Sequence, residues 1–101
     1  MKKILDNETY VVWDDDTLDH LTTSKTMLHP NKETTGHSHL TQDEVYIFMK
    51  GYGEMIVGTE KREVRAGDVV NIPAGNFHQV INNYPGKIHL EFYSIFNGRR
   101  V

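Results

Sequence analysis

Three histidines and one glutamate, His37, His39, Glu44 and His78, are of the types and spacing that can converge on a single divalent metal ion. His37 and His39 stand two apart, and residues two apart on a strand point to one face. From His39 to Glu44 the offset is odd, so the polar stretch Leu40-Thr41-Gln42-Asp43 must turn or bulge the chain to return Glu44 to that face. His78 comes much later, in Pro73-Ala74-Gly75-Asn76-Phe77-His78, where the Pro and Gly set a turn before a new strand. The four side chains are thus expected from three neighbouring strands. A buried carboxylate is costly unless paired or metal-bound, and a buried imidazole needs a partner, so one shared ion would satisfy all four. One ionised Glu and three neutral His leave such a unit at about +1, which attracts anionic or polarisable oxygen ligands. If the ion is six-coordinate, two positions stay open for water and substrate oxygens. Iron, manganese, nickel, cobalt and zinc all suit nitrogen and carboxylate ligands, and the sequence does not choose among them.

The elements that must position these residues read as strands throughout. Short runs rich in Val, Ile, Thr, Tyr and Phe alternate with Gly, Pro, Asn and Asp clusters, the pattern of an antiparallel β-sandwich or barrel. Strands are predicted at 10–13, 21–28, 35–40, 45–50, 54–57, 61–64, 68–72, 78–82 and 87–96. No segment keeps a helical period, and no internal repeat or low-complexity stretch is present.

At 101 residues and 38% hydrophobic content the chain is expected to form one domain, 1–101, with residues 1–20 as an N-terminal arm or a strand exchanged in a dimer. The formal net charge is −3 and the basic residues are scattered, which argues against a nucleic-acid partner. The closing pair Arg99-Arg100 reads as a solvated tail, and Asp14-Asp15-Asp16 as a solvated turn. Cysteine is absent, so a metal here must use nitrogen and oxygen. The start of the chain lacks the apolar stretch of a signal peptide, and the longest apolar run, Val45 to Met49, is far too short to span a bilayer; no membrane partner and a cytoplasmic location are expected.

Two stretches between Asn31 and Asn82, about half of the chain, resemble the motifs of the cupin superfamily. The first family motif is met by Asn31, His37, His39, Glu44 and Gly51, with Asn31 standing where the family has Gly. Asn tolerates the left-handed conformation, so the turn is expected to be kept. The second motif is met at every position by Gly67, Pro73, Gly75, His78 and Asn82. The fifteen residues between Gly51 and Gly67 resemble the compact single-domain microbial form. This resemblance implies an all-β, conical antiparallel β-barrel of two sheets, a double-stranded β-helix of jelly-roll type, with one divalent metal ion in its mouth. It implies His37, His39, Glu44 and His78 as the ligands, and a homodimer as the usual assembly.

Around that site, Tyr46 and Phe48 share the strand face of Glu44 and are expected to project into the same cavity, Tyr46 as an acid or base and Phe48 as a wall against substrate. Phe77 is expected to close the rim over the ligand. In the last strand Ile88, Leu90 and Phe92 share one face and His89, Glu91 and Tyr93 the other; if the polar face lines the pocket, His89 or Glu91 becomes a proton-transfer group. The chemistry expected is metal-dependent isomerisation or epimerisation of a sugar-like or polyhydroxy small molecule. A mononuclear metal dioxygenase or lyase, and a non-catalytic small-ligand-binding cupin, use the same ligands.

Overall fold

The computed structural model describes residues 1–100, and those residues form nine strands and no helix. In chain order they are β1 (Lys2–Asp6), β2 (Tyr10–Asp15), β3 (Leu21–Leu28), β4 (Glu44–Lys50), β5 (Tyr52–Val57), β6 (Glu60–Arg65), β7 (Val69–Ile72), β8 (His78–Ile81) and β9 (Leu90–Asn97). All pairings are antiparallel. One sheet has the order β1-β2-β3-β9-β4-β7 and the other β6-β5-β8. The two sheets face each other as a double-stranded β-helix but do not close into a strict barrel.

Period-two alternation sets which side chains lie between the sheets. Along β3 the buried residues are Thr22, Ser24, Thr26 and Leu28; along β9, Leu90, Phe92, Ser94 and Phe96; along β4, Glu44, Tyr46 and Phe48. Register then sorts this inner face into two ends. Leu28 pairs with Leu90 and Phe48 with Phe92, and these close over Met55, Val64 and Val80 as an apolar plug. Further along, Ser24 pairs with Ser94, and Ser94 with Tyr46, so the inner face turns polar beside Glu44. The plug supplies the burial that holds the sheets together, at about 25 cal/mol for each Å² of apolar surface removed from water. The polar end leaves room for a cavity.

Three local departures from expectation have physical causes. Residues 35–40 do not form a strand: the chain around them meets β8 at the isolated bridges Glu33–Ile81 and His37–His78 and through the Thr34 amide, which donates to Val80 O at 2.9 Å. Side chains divert the ladder here, because Thr34 Oγ1 accepts from the Val80 amide at 3.0 Å and Gln79 Nε2 donates to Thr34 O at 2.9 Å. Residues 2–6, expected to belong to an N-terminal arm or an exchanged strand, pair with β2 in the same chain. Asp14 lies in β2, its side chain only 12% exposed and paired with Arg100, so it is not the solvated turn residue expected, and the half-exposed Arg100 is tied to it rather than free in a tail. Asn31 adopts φ 59°, the left-handed turn its amide permits.

Candidate metal centre

Two segments deliver the imidazoles. The stretch through His37 and His39 is pinned at both ends: the His37 amide donates to His78 O at 3.2 Å, the His78 amide to His37 O at 2.9 Å, and the Gly75 amide to His39 O at 2.6 Å. The turn that carries His78 is held by the Ala74 amide donating to Asp43 Oδ1 at 2.8 Å, and Asp43 in turn donates its own amide to Asn97 Oδ1 at 2.8 Å. The loop 40–43 therefore does turn the chain, and Glu44 enters β4 on the buried face. Gly36 packs against the Phe77 ring, and a Cβ there would lie 2.1 Å from it, so a larger residue obliges that rim side chain to move.

His37, His39, Glu44 and His78 are brought together, with one ligand atom from each all within 4.8 Å of one another. Nε2 of His78 lies 3.1 Å and Nε2 of His39 3.4 Å from Glu44 Oε1. Each of His37 and His78 places Nδ1 3.1 Å from a backbone carbonyl, that of Thr35 and of Asn76 respectively. A proton on Nδ1 in both rings turns the lone pair of Nε2 toward the cluster, the tautomer a metal ligand needs. Glu44 Oε1 and His78 Nε2 are buried and complete no hydrogen bond, although they approach each other. Orphaned buried polar atoms of opposite character, aimed at one point, fit a cation between them.

The electrostatics agree with this geometry. Burial would raise the Glu44 carboxyl, but the neighbouring His78, the Ser94 hydroxyl and His39 outweigh it and hold the group below its ordinary value. Burial would lower the His78 imidazole, but Glu44 and the Asn76 carbonyl raise it. His39 is lowered, chiefly by burial, against the pull of Glu44. Tyr46 is pushed up by burial and then by the Glu44 charge, so its hydroxyl stays protonated.

A cavity of about 350 Å³ opens beside the cluster. Tyr46 lines it, its ring stacked on Phe92 at 5.0 Å and edge-on to His78 at 5.8 Å. Phe48 is fully buried in the plug and does not reach the cavity. Phe77 sits at the rim, 41% exposed, against Gly36 rather than over the cavity. His89 and Glu91 are not brought to the site. The cavity is lined from β9 by Phe92, Ser94 and Phe96, and the odd-numbered residues face the other way. On that outer face Glu91 meets Lys25 and Lys50, each at 3.7 Å, and His89 meets His29 at 3.0 Å.

Sequence reasoning missed Ser24, Gln42, Ser94 and Arg100, all of which line the cavity. Ser24 and Ser94 were legible in one respect: each is a small polar residue at the inward phase of a strand whose other inward positions include apolar ones. Arg100 carried no local signal, since its partner Asp14 lies at the other end of the chain.

An open double-stranded β-helix with three imidazoles and a carboxylate converging at one end defines a cupin-type protein. A family model described as a cupin domain matches residues 24–96, and the chain belongs to that family. An uncharacterized protein of Methanocaldococcus jannaschii is 40% identical over 58 residues; the match takes in 55% of this chain and 46% of the relative, so this chain spans about half the length of that curated relative. Among solved structures, a Cupin 2 conserved barrel domain protein from Salinispora arenicola is similar at 27% identity and a TM-score of 0.76, over 94% of this chain and 80% of that one. KdgF from Halomonas sp. is similar in fold, with a TM-score of 0.82 over 99% of this chain and 88% of that one, at 18% identity.

Proposed function

We propose that this cupin holds one divalent transition-metal ion through His37, His39, Glu44 and His78, and uses it on a small hydroxylated molecule in isomerase- or epimerase-type chemistry. The observation that carries the reading is the pair of orphaned buried atoms, Glu44 Oε1 and His78 Nε2, at the centre of a four-residue cluster beside a cavity. The bound ion would supply Lewis acidity, polarising a carbonyl or hydroxyl oxygen held at its open positions. The chain supplies the rest. Thr26, Thr34, Thr35 and Ser24 offer hydroxyl partners to an oxygen-rich ligand, and Phe92 and Phe96 offer it apolar walls. Tyr46, protonated and on the cavity wall, can donate a hydrogen bond to a substrate oxygen.

A second reading is non-catalytic binding of the same class of molecule. It is favoured by the placement of His89 and Glu91 on the outer face, which leaves, among the described residues, no carboxylate or imidazole on the cavity wall apart from the cluster itself. Elemental analysis of the purified protein and of His78→Ala, followed by a panel of aldoses, ketoses and their acids with and without chelator, tests both. Metal bound by the parent and lost in the variant, with chelator-sensitive turnover, supports the enzyme. Metal without turnover supports binding. A parent that takes up no metal after reloading would falsify the site.

A homodimer belongs to the same proposal. Strand β1 is an edge of the larger sheet and exposes Ile4 and Leu5, an apolar edge of the kind that pairs with a second chain.

A further inference from the structure

The cavity contains a fixed cation that the metal cluster does not use. Arg100 is the one permanently charged base among the described residues that line it, as Glu44 is the one carboxylate. Its place is built by many contacts. Gln42 Nε2 donates to the carbonyls of Asn97 and Arg99 at 2.9 and 2.8 Å, Thr22 Oγ1 donates to Gly98 O at 2.7 Å, and the Gly98 amide donates to His20 O at 2.9 Å. These bonds fold the C-terminal residues back over the cavity end of the sheets. The guanidinium is then clamped: Nε and Nη2 donate to the two oxygens of Asp14 at 2.7 and 3.0 Å, Nη2 also donates to Ser24 Oγ at 3.0 Å, and the group lies 5.3 Å from the Phe96 ring centre.

The pair with Asp14 uses Nε and one hydrogen of Nη2, and Ser24 takes the other Nη2 hydrogen. Here Asp14 does not line the cavity and Arg100 does, and among the described residues Nη1 has no hydrogen-bond partner. The guanidinium is therefore pre-oriented by Asp14 and Ser24 with the Nη1 hydrogens left over, charged donors from which an oxyanion can accept. The charge also reaches the cluster, since the Glu44 and Arg100 charges favour each other across the cavity.

We infer that Arg100 is an oxyanion anchor: the ligand is a small hydroxylated acid, a carboxylate or phosphate monoester, whose hydroxyl end meets the His/Glu cluster while its anionic end accepts from Nη1. This rests on the metal reading above and narrows its substrate class. Asp14 acts as a positioning residue, because it touches the guanidinium and does not line the cavity.

The test uses three ligands on one three-carbon frame, glycerol, glycerate and glycerol 3-phosphate, titrated into the zinc-loaded protein by calorimetry. Parent protein is expected to bind one of the two anions roughly tenfold or more tighter than glycerol, the worth of a charged hydrogen bond. Which anion binds more tightly identifies the carboxylate or the phosphate source. In Arg100→Gln that preference is expected to fall roughly tenfold while zinc content stays at the parent level. Equal binding of all three ligands, or a preference undiminished in the variant and so owed to the metal alone, overturns the anchor. Arg100→Lys, which keeps the charge against Asp14 but not the fork, is the second variant and is expected to lose at least about threefold of the preference; a full parental preference there also overturns it. If the parent takes up no zinc, the metal reading fails on the elemental analysis alone. The same ligand series on that metal-free protein then still decides the role of Arg100.

Discussion

The hydroxyl of Ser94 donates to Glu44 Oε2 at 2.5 Å, from the strand next to the one that carries Glu44. One carboxylate oxygen is thereby fixed and the other, Oε1, is left facing His39 and His78. Ser94→Ala is expected to fold normally and to bind metal about 10–100-fold more weakly, the usual effect of removing a hydrogen bond that orients a ligand. Competition against a chelator of known affinity measures it. Parental affinity in the variant would mean that β4 alone orients Glu44.

The two halves of the cluster titrate in opposite senses, and this sets a pH dependence. Glu44 is held below its ordinary 4.5 in the folded chain, so its contribution to stability is present above that value and is lost as pH falls through the depressed one. His78 is raised above its ordinary 6.5, so its contribution is complete below 6.5 and is lost as pH rises through the raised one. The metal-free protein should therefore gain most from this pair between 4.5 and 6.5. Metal requires the neutral imidazole, so the rise in melting temperature on adding metal should grow as pH climbs above 6.5. Thermal melts with and without metal across that range check it; a metal-induced shift that does not change with pH would contradict the assignment.

Gly36 and Phe77 pack so closely that a Cβ on residue 36 would overlap the ring. Gly36→Ala should cost about 1–3 kcal/mol, the range for overpacking, and most of that cost should vanish in the double variant with Phe77→Ala. Additive effects in denaturant melts would show that the ring moves aside without resistance. Because Phe77 lies at the rim and not on the cavity wall, Phe77→Ala by itself should leave metal content unchanged.

Outward placement of His89 and Glu91 predicts that Glu91→Gln and His89→Gln keep full metal content and, if turnover is found, keep it within about twofold. Loss of the Lys25 and Lys50 contacts, part-exposed as they are, should cost less than about 1 kcal/mol. Tyr46→Phe should retain metal yet reduce turnover. A large activity loss in Glu91→Gln with parental stability would return that residue to the chemistry.

Light scattering at micromolar concentration should give the mass of a homodimer, with β1 at or near the interface. Ile4→Lys, at an exposed edge position, should shift the protein toward monomer. A monomeric parent would refute the dimer.

Legibility followed the range of the interactions. The cluster could be seen in advance because each ligand is placed by its neighbours in sequence: the His-x-His step, the polar turn before Glu44, and the Pro and Gly turn before His78. The antiparallel, all-β architecture was likewise visible in the alternation of the strands and the turn residues between them. The stretch 35–40 was read as a strand because its alternation is sound, but Thr34 and Gln79 side chains take hydrogen bonds that a ladder would have used. The last strand shows another limit. Alternation separates Leu90 and Phe92 from His89 and Glu91 but does not say which face meets a cavity, and the face of Phe92, Ser94 and Phe96 is the one that does.

By itself, then, the sequence determined the strand pattern, the turns and the four residues that converge, since backbone sterics and period-two geometry act over a few residues. Only the tertiary structure decided what surrounds them. Register between β4 and β9 put Ser94 beside Glu44, and the fold-back of the C-terminus joined Arg100 to Asp14 across nearly the full length of the chain. Such contacts depend on how the sheets stack and where the chain ends come to rest, and no local preference encodes either.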